Sequence, residues 1–211
     1  MPIICQHSNS DEYRLAVWQI TETADFFEGR VLSPDNRTHP QVRLRHLAAR
    51  YLLGELMPDF PYGSIEISSS GKPELPGSGL HFSLSHCGDY AAAIISEKGS
   101  VGIDLEATGD RIFRIRHKFL SDTEQEFLRL SAGLEQLQEG EEAARWLTLA
   151  WSAKEAVYKW QGESGIDFIR DIALQESARE SAQLNFHFTP RKLDLKVNYS
   201  QLENLTLTWI H

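Results

Sequence analysis

Apolar residues recur at helical spacing in two stretches of the chain and alternate with polar ones through much of the rest. From Val42 to Met57 the positions Val42, Leu44, Leu47, Ala48, Tyr51, Leu52 and Met57 trace one helix face, and Pro58 and Pro61 stop it. A helix is predicted from Ser121, because Ser121-Asp122-Thr123-Glu124 has the capping-box pattern. Another runs from Arg145 to Gln161 and is ended by Gly162 and Gly165. Glu135 to Glu142 reads as a solvated loop or helix end.

Strands are expected at Ser64–Ile67, His81–Ser85, Tyr90–Ser96 and Ser100–Leu105, with a Gly/Pro-punctuated loop before the second. In His81–Ser85, Phe82 and Leu84 are expected to point inward. Near the end of the chain, Leu184, Phe186 and Phe188, and again Leu205, Leu207 and Trp209, alternate with polar residues as strands do. Residues 1–35 mix short apolar runs with acids, and Pro34-Asp35-Asn36 reads as a turn. Each half of the chain therefore shows a long helix followed by strands. The expected fold is α+β: two similar halves, each a long helix packed on a small, mostly antiparallel sheet. The halves are residues 1–99 and 100–211, meeting near Glu97-Lys98-Gly99-Ser100. A cleft between them is the expected place for a ligand.

The composition narrows the possibilities. With 211 residues, 41% hydrophobic and 24% charged, the chain is of ordinary globular make-up and needs no metal or disulfide to hold a core. Two cysteines build no disulfide framework. The start has no basic, apolar leader, and the longest interior apolar run, Tyr90 to Ile95, is far short of a membrane span. A soluble, cytoplasmic protein without membrane contact is expected. The net charge of -9 excludes a general nucleic-acid coat, which needs a basic field. Signatures for phosphate loops and zinc proteases are absent. Gly77-x-Gly79 has Phe82 where a dinucleotide fingerprint needs its third glycine. Ser69-x-x-Lys72 lies in a Gly/Pro loop and opens no helix.

Three fragments carry candidate chemistry. In Val101-Gly102-Ile103-Asp104-Leu105-Glu106 the two carboxylates stand at i and i+2, on one face of a strand, close enough to share a hard cation such as Mg²⁺. Taken alone, the alternation reads equally as an amphipathic strand with a solvated acidic face. In Trp151-Ser152-Ala153-Lys154-Glu155-Ala156-Val157-Tyr158-Lys159, residues Trp151, Glu155 and Lys159 stack along one helix face. Glu155 could add a third carboxylate and Lys159 a cation; a surface Glu–Lys pair is the plainer reading. Phe82-Ser83-Leu84-Ser85-His86 ends a strand with a hydroxyl and an imidazole that can hold phosphate, or with an ordinary loop.

In this order and spacing, the fragments resemble the 4′-phosphopantetheinyl transferases, most closely the monomeric two-half (Sfp) type. The resemblance covers about half the chain, through Arg50, Gly71-Lys72-Pro73, Phe82–His86, Val101–Glu106 and Trp151–Lys159. It departs at Ser83, where the family usually has Asn. The resemblance implies transfer of the phosphopantetheine arm of coenzyme A to a serine of an apo acyl or peptidyl carrier protein, met transiently, with release of adenosine 3′,5′-bisphosphate. It implies Mg²⁺ held by Asp104, Glu106 and Glu155, with Glu155 as general base directly or through a metal-bound water. Lys159 would steady the pyrophosphate. Arg50 would hold the 3′-phosphate, Ser85 and His86 further phosphates, and Lys72 would border the adenine. Arg37 and Arg43 are weaker phosphate candidates.

Two acid-free stretches fit such ligands within an acidic chain. One is Arg37–Gly54; the other is Arg111–Leu120, where Arg111, Arg114, Arg116 and Lys118 would dock an acidic carrier. The apolar residues of the second stretch could instead be core. A Mg²⁺-dependent phosphohydrolase and a non-catalytic coenzyme A or carrier-binding module are the competing functions.

Overall fold

The computed structural model describes residues 2–9, 12–31, 39–175 and 182–211. The turn read at Pro34-Asp35-Asn36, and Arg37, lie outside them. The fold is a mixture of helices and antiparallel strands, in two compact units. One is Met1–Leu105 with Lys159–Gly162 and His211; the other is Glu106–Tyr158 with Glu163–Ile210.

In the first unit β1 (Ile3–Asn9), β2 (Tyr13–Gln19), β5 (His81–Cys87) and β6 (Tyr90–Ser96) form an antiparallel sheet in the order β1-β2-β6-β5. Helix α1 (Ala24–Glu28) packs on helix α2 (Pro40–Leu56), and α2 lies against β2, β5 and β6. Leu52, Leu53 and Leu56 of α2 meet Ala16, Trp18, Phe82, Ala93 and Ile95 in a buried cluster. A small hairpin of β3 (Glu66–Ile67) and β4 (Pro73–Glu74) precedes β5. Near the end of α2, Gly54 admits a close neighbour. A Cβ there would lie 2.6 Å from Tyr62 Oη, which donates to the Arg50 carbonyl at 2.9 Å.

Strand β7 (Gly102–Ala107) leaves the first unit between Leu105 and Glu106. The second unit holds α3 (Arg111–Ile115), α4 (Asp122–Ala132), α5 (Glu141–Gln161) as far as Tyr158, β8 (Ile172–Gln175), β9 (Gln183–Phe188), β10 (Leu193–Leu202) and β11 (Leu205–Ile210), while the last turn of α5, from Lys159, belongs to the first. The second sheet runs β7-β11-β10-β9-β8. The capping box at Ser121 is complete: Ser121 Oγ accepts the Glu124 N–H at 3.2 Å, and Glu124 Oε2 accepts the Ser121 N–H at 2.8 Å. Ile112, Phe119, Leu120, Leu128, Leu147 and Ala150 form a core cluster with Trp151, Phe168 and Leu174 against it. Among the described residues no helix is long and apolar enough to cross a membrane.

Several expected limits move. β5 runs on to Cys87, β7 starts at Gly102 and ends at Ala107, and α5 begins at Glu141. The expected strand at Ser64–Ile67 is a 3-10 turn at Tyr62–Ser64 and the two-residue β3. The inward–outward alternation expected in β5 is not kept. Ser83 and Ser85 are buried along with Phe82, while Leu84 is only half-buried. The strand is covered on both faces, so polarity does not report direction there.

Candidate active site

The burial of β5 on both faces turns attention to its serines. Their hydroxyls are directed at β7. Ser83 Oγ accepts the N–H of Ile103 at 3.2 Å, and Ser85 Oγ accepts the N–H of Leu105 at 3.2 Å. Between those residues stands Asp104, 4% exposed. A carboxylate so far from water needs donors. Its Oδ1 accepts from Ser85 Oγ at 2.9 Å and from Lys159 Nζ at 2.7 Å. Its Oδ2 is buried and has no hydrogen-bond partner. The Lys159 ammonium also donates to Ser85 Oγ and to the Ile103 carbonyl, each at 3.0 Å, so all three of its protons are engaged.

Glu106, half-buried two residues on in β7, accepts from Trp151 Nε1 at 3.0 Å. Trp151, Glu155 and Lys159 are all half-buried along α5, as their spacing predicts for one shared face. Among the described residues no three His, Cys, Asp or Glu side chains are gathered as a metal-binding group. One buried oxygen of Asp104 is left open, and a carboxylate oxygen is the kind of donor a hard cation takes.

Lys154 was not singled out by its sequence context, yet it is wholly buried. Its ammonium donates to Glu124 Oε1 at 2.6 Å, the Phe119 carbonyl at 2.7 Å and the Phe168 carbonyl at 2.8 Å. Burial pushes its pKa below the ordinary lysine value, and the charges of Glu124 and Asp167 oppose the shift. The signal was present in the helical period. Leu147, Ala150, Lys154 and Val157 share a face, and the other three are fully buried.

The remaining candidates differ in exposure. Arg50 is buried. Arg43 is half-exposed and paired with Glu28 at 2.8 Å. Lys72 is half-buried beside Gly162, where an added Cβ would come within 3.3 Å of its Cδ. Burial pushes the Lys72 pKa down, against the pull of Glu74. Ser70 Oγ donates to the Gly162 carbonyl at 2.6 Å, which fastens the Lys72 loop to the end of α5. His86 is exposed. In the basic stretch Ile112, Phe119 and Leu120 belong to the core, leaving Arg111, Arg114 and Lys118 exposed. Arg116 is half-buried and donates to the Phe113 carbonyl at 2.7 Å and to Gln125 Oε1 at 3.2 Å.

Residues 100–210 match the 4′-phosphopantetheinyl transferase superfamily. The chain is similar to the 4′-phosphopantetheinyl transferase AcpT of Salmonella typhi, 34% identical over 148 residues, covering 67% of this chain and 70% of the relative. The protein of the same description from Salmonella typhimurium is 35% identical over 147 residues, covering 67% and 70%. That from Escherichia coli O157:H7 is 29% identical over 166 residues, covering 78% and 73%.

Proposed function

The chain belongs to the 4′-phosphopantetheinyl transferase superfamily, and from that premise we infer how its own residues carry the family's reaction. It transfers the 4′-phosphopantetheine arm of coenzyme A to a serine of an apo carrier protein, giving the holo carrier and adenosine 3′,5′-bisphosphate. The observation that carries the assignment of roles is Asp104: a buried carboxylate held at Oδ1 by Lys159 and Ser85, with Oδ2 open.

Asp104, Glu106 and Glu155 would hold Mg²⁺. When bound, the ion supplies Lewis-acid neutralisation of the pyrophosphate. The serine oxygen forms a bond to the phosphorus of the phosphopantetheine, and the bond from that phosphorus to the bridging oxygen breaks. Glu155 takes the hydroxyl proton as the serine attacks. Lys159 exchanges one of its three acceptors for the pyrophosphate and meets the charge growing on the leaving oxygen.

Arg50 holds the 3′-phosphate as a fixed guanidinium fork, His86 contacts a further phosphate, and Lys72 borders the adenine. Arg43, already paired with Glu28, is an accessory phosphate contact at most. Arg111, Arg114, Arg116 and Lys118 steer the acidic carrier, since the apolar neighbours that could compete for the role are core. The chain is read as working alone, as a monomer, with its assigned residues drawn from both units. With coenzyme A and a carrier protein as its substrates, the chain is read as a cytoplasmic enzyme.

The test is incubation with coenzyme A, Mg²⁺ and an apo carrier, read by mass spectrometry. A gain of one phosphopantetheine unit on the carrier, lost in Asp104→Ala and Glu155→Ala, is the expected result. Phosphate released without any carrier would mark a phosphohydrolase instead, and binding without product a non-catalytic module.

A further inference from the structure

We infer that Ser83 and Ser85 are positioning residues for Asp104, fastening β7 through side-chain acceptors so that its carboxylate stands in one place. The inference rests on the reading of Asp104 as a metal ligand.

β5 pairs along its whole length with β6, from His81 opposite Ser96 to Cys87 opposite Tyr90. Ser83 and Ser85, at i and i+2, share the strand face opposite Phe82 and Leu84. Ile103 and Leu105 are also two apart, so one spacing matches the other, and both N–H groups find a hydroxyl oxygen at 3.2 Å. Two side chains thus do for β7 what a carbonyl ladder does elsewhere. Asp104 lies between the two anchored residues, and its position follows from theirs.

The capacity of Ser85 decides between this role and phosphate contact. A hydroxyl has one proton to give and two lone pairs. The proton goes to Asp104 Oδ1; the lone pairs take the Leu105 N–H and Lys159 Nζ. While Lys159 stays on Ser85 that capacity is full, and Ser85 is 7% exposed. Ser83, 5% exposed, is equally withdrawn. Replacing Ser85 with Ala would orphan the Leu105 N–H and remove one donor from Asp104. Replacing Ser83 would orphan only the Ile103 N–H, one residue before the carboxylate.

The experiment measures Mg²⁺ binding to the full chain by titration calorimetry in the presence of coenzyme A, together with KM for coenzyme A. Ser85→Ala should weaken Mg²⁺ binding about tenfold, the usual scale for a group that orients a ligand. Ser83→Ala should weaken it less, in the same direction, and KM for coenzyme A should stay unchanged in both. A raised KM with Mg²⁺ binding intact would make Ser85 a phosphate contact and overturn the inference. Unchanged values for both constants would overturn it too. Asp104→Asn separates the two layers. If Asp104→Asn loses Mg²⁺ binding while Ser85→Ala keeps it, the positioning role alone fails. If Asp104→Asn keeps it, the metal reading fails and the inference with it. Should Ser85→Ala not fold, Ser83→Ala and the near-isosteric Ser85→Cys carry the same comparison.

Discussion

Lys154 and Glu124 form an ion pair of 2.6 Å in which the lysine side chain is wholly shut from water. Glu124 serves several masters. It closes the Ser121 capping box, accepts the Leu174 N–H at 2.8 Å and neutralises Lys154, so α4, α5 and β8 meet at one carboxylate. Glu124→Leu leaves a buried ammonium without its countercharge, and the expected cost is about 3–5 kcal/mol. Adding Lys154→Met should recover part of it. Urea unfolding of the three variants checks both statements.

Asp171 predicts a pH dependence of stability. The bidentate Arg170 guanidinium, then the Asp167 N–H, hold its pKa at about 2 against an ordinary 3.8. The folded state therefore binds this proton less readily than the unfolded one. The stabilisation is fully present above the ordinary value and is lost as pH falls from about 3.8 to about 2. Asp171→Asn should narrow the stability gap to wild type over that same window, and parallel acid unfolding curves would contradict it.

For Lys159→Met, kcat should fall by roughly 10²–10³ with a smaller change in KM for coenzyme A, because the cation meets charge that grows in the transition state. Steady-state kinetics at saturating carrier separates the constants. Equal loss in both would mean the lysine binds ground and transition states alike.

Reversal of Arg111 and Arg114 to Glu should raise KM for the carrier, leave KM for coenzyme A alone and flatten the dependence of rate on salt. Arg116 is a less selective probe. Its guanidinium also holds the Phe113 carbonyl and Gln125, so its reversal should lower stability as well as docking.

The parts of the molecule that obey a local rule were legible in the sequence. The capping box at Ser121, the period of Val42–Met57 and the Gly162 stop after Gln161 each depend on neighbours a few residues away. The acidic pair Asp104 and Glu106 was equally plain as a pattern. What surrounds Asp104 was not, because Ser85 and Lys159 lie 19 and 55 residues distant and only the fold selects them. β2 was missed for another reason. In β2 the run Leu15-Ala16-Val17-Trp18 is buried on both faces and shows no alternation. Ser83 looked like a departure from the family pattern, and it is an acceptor for β7. Lys154 reads as a solvated residue by type, and a buried charge declares itself only through its partners.

The indole of Trp151 donates its one proton to Glu106, a carboxylate assigned here to the cation, and the ring packs edge-on against Phe119 at 5.1 Å. On the proposed metal site, its emission would respond to the occupancy of that carboxylate. Emission from this tryptophan should shift as Mg²⁺ is added and stay still in Glu106→Gln. Such a shift would make the protein its own optical indicator, reporting loading in real time without a label and before any carrier is present.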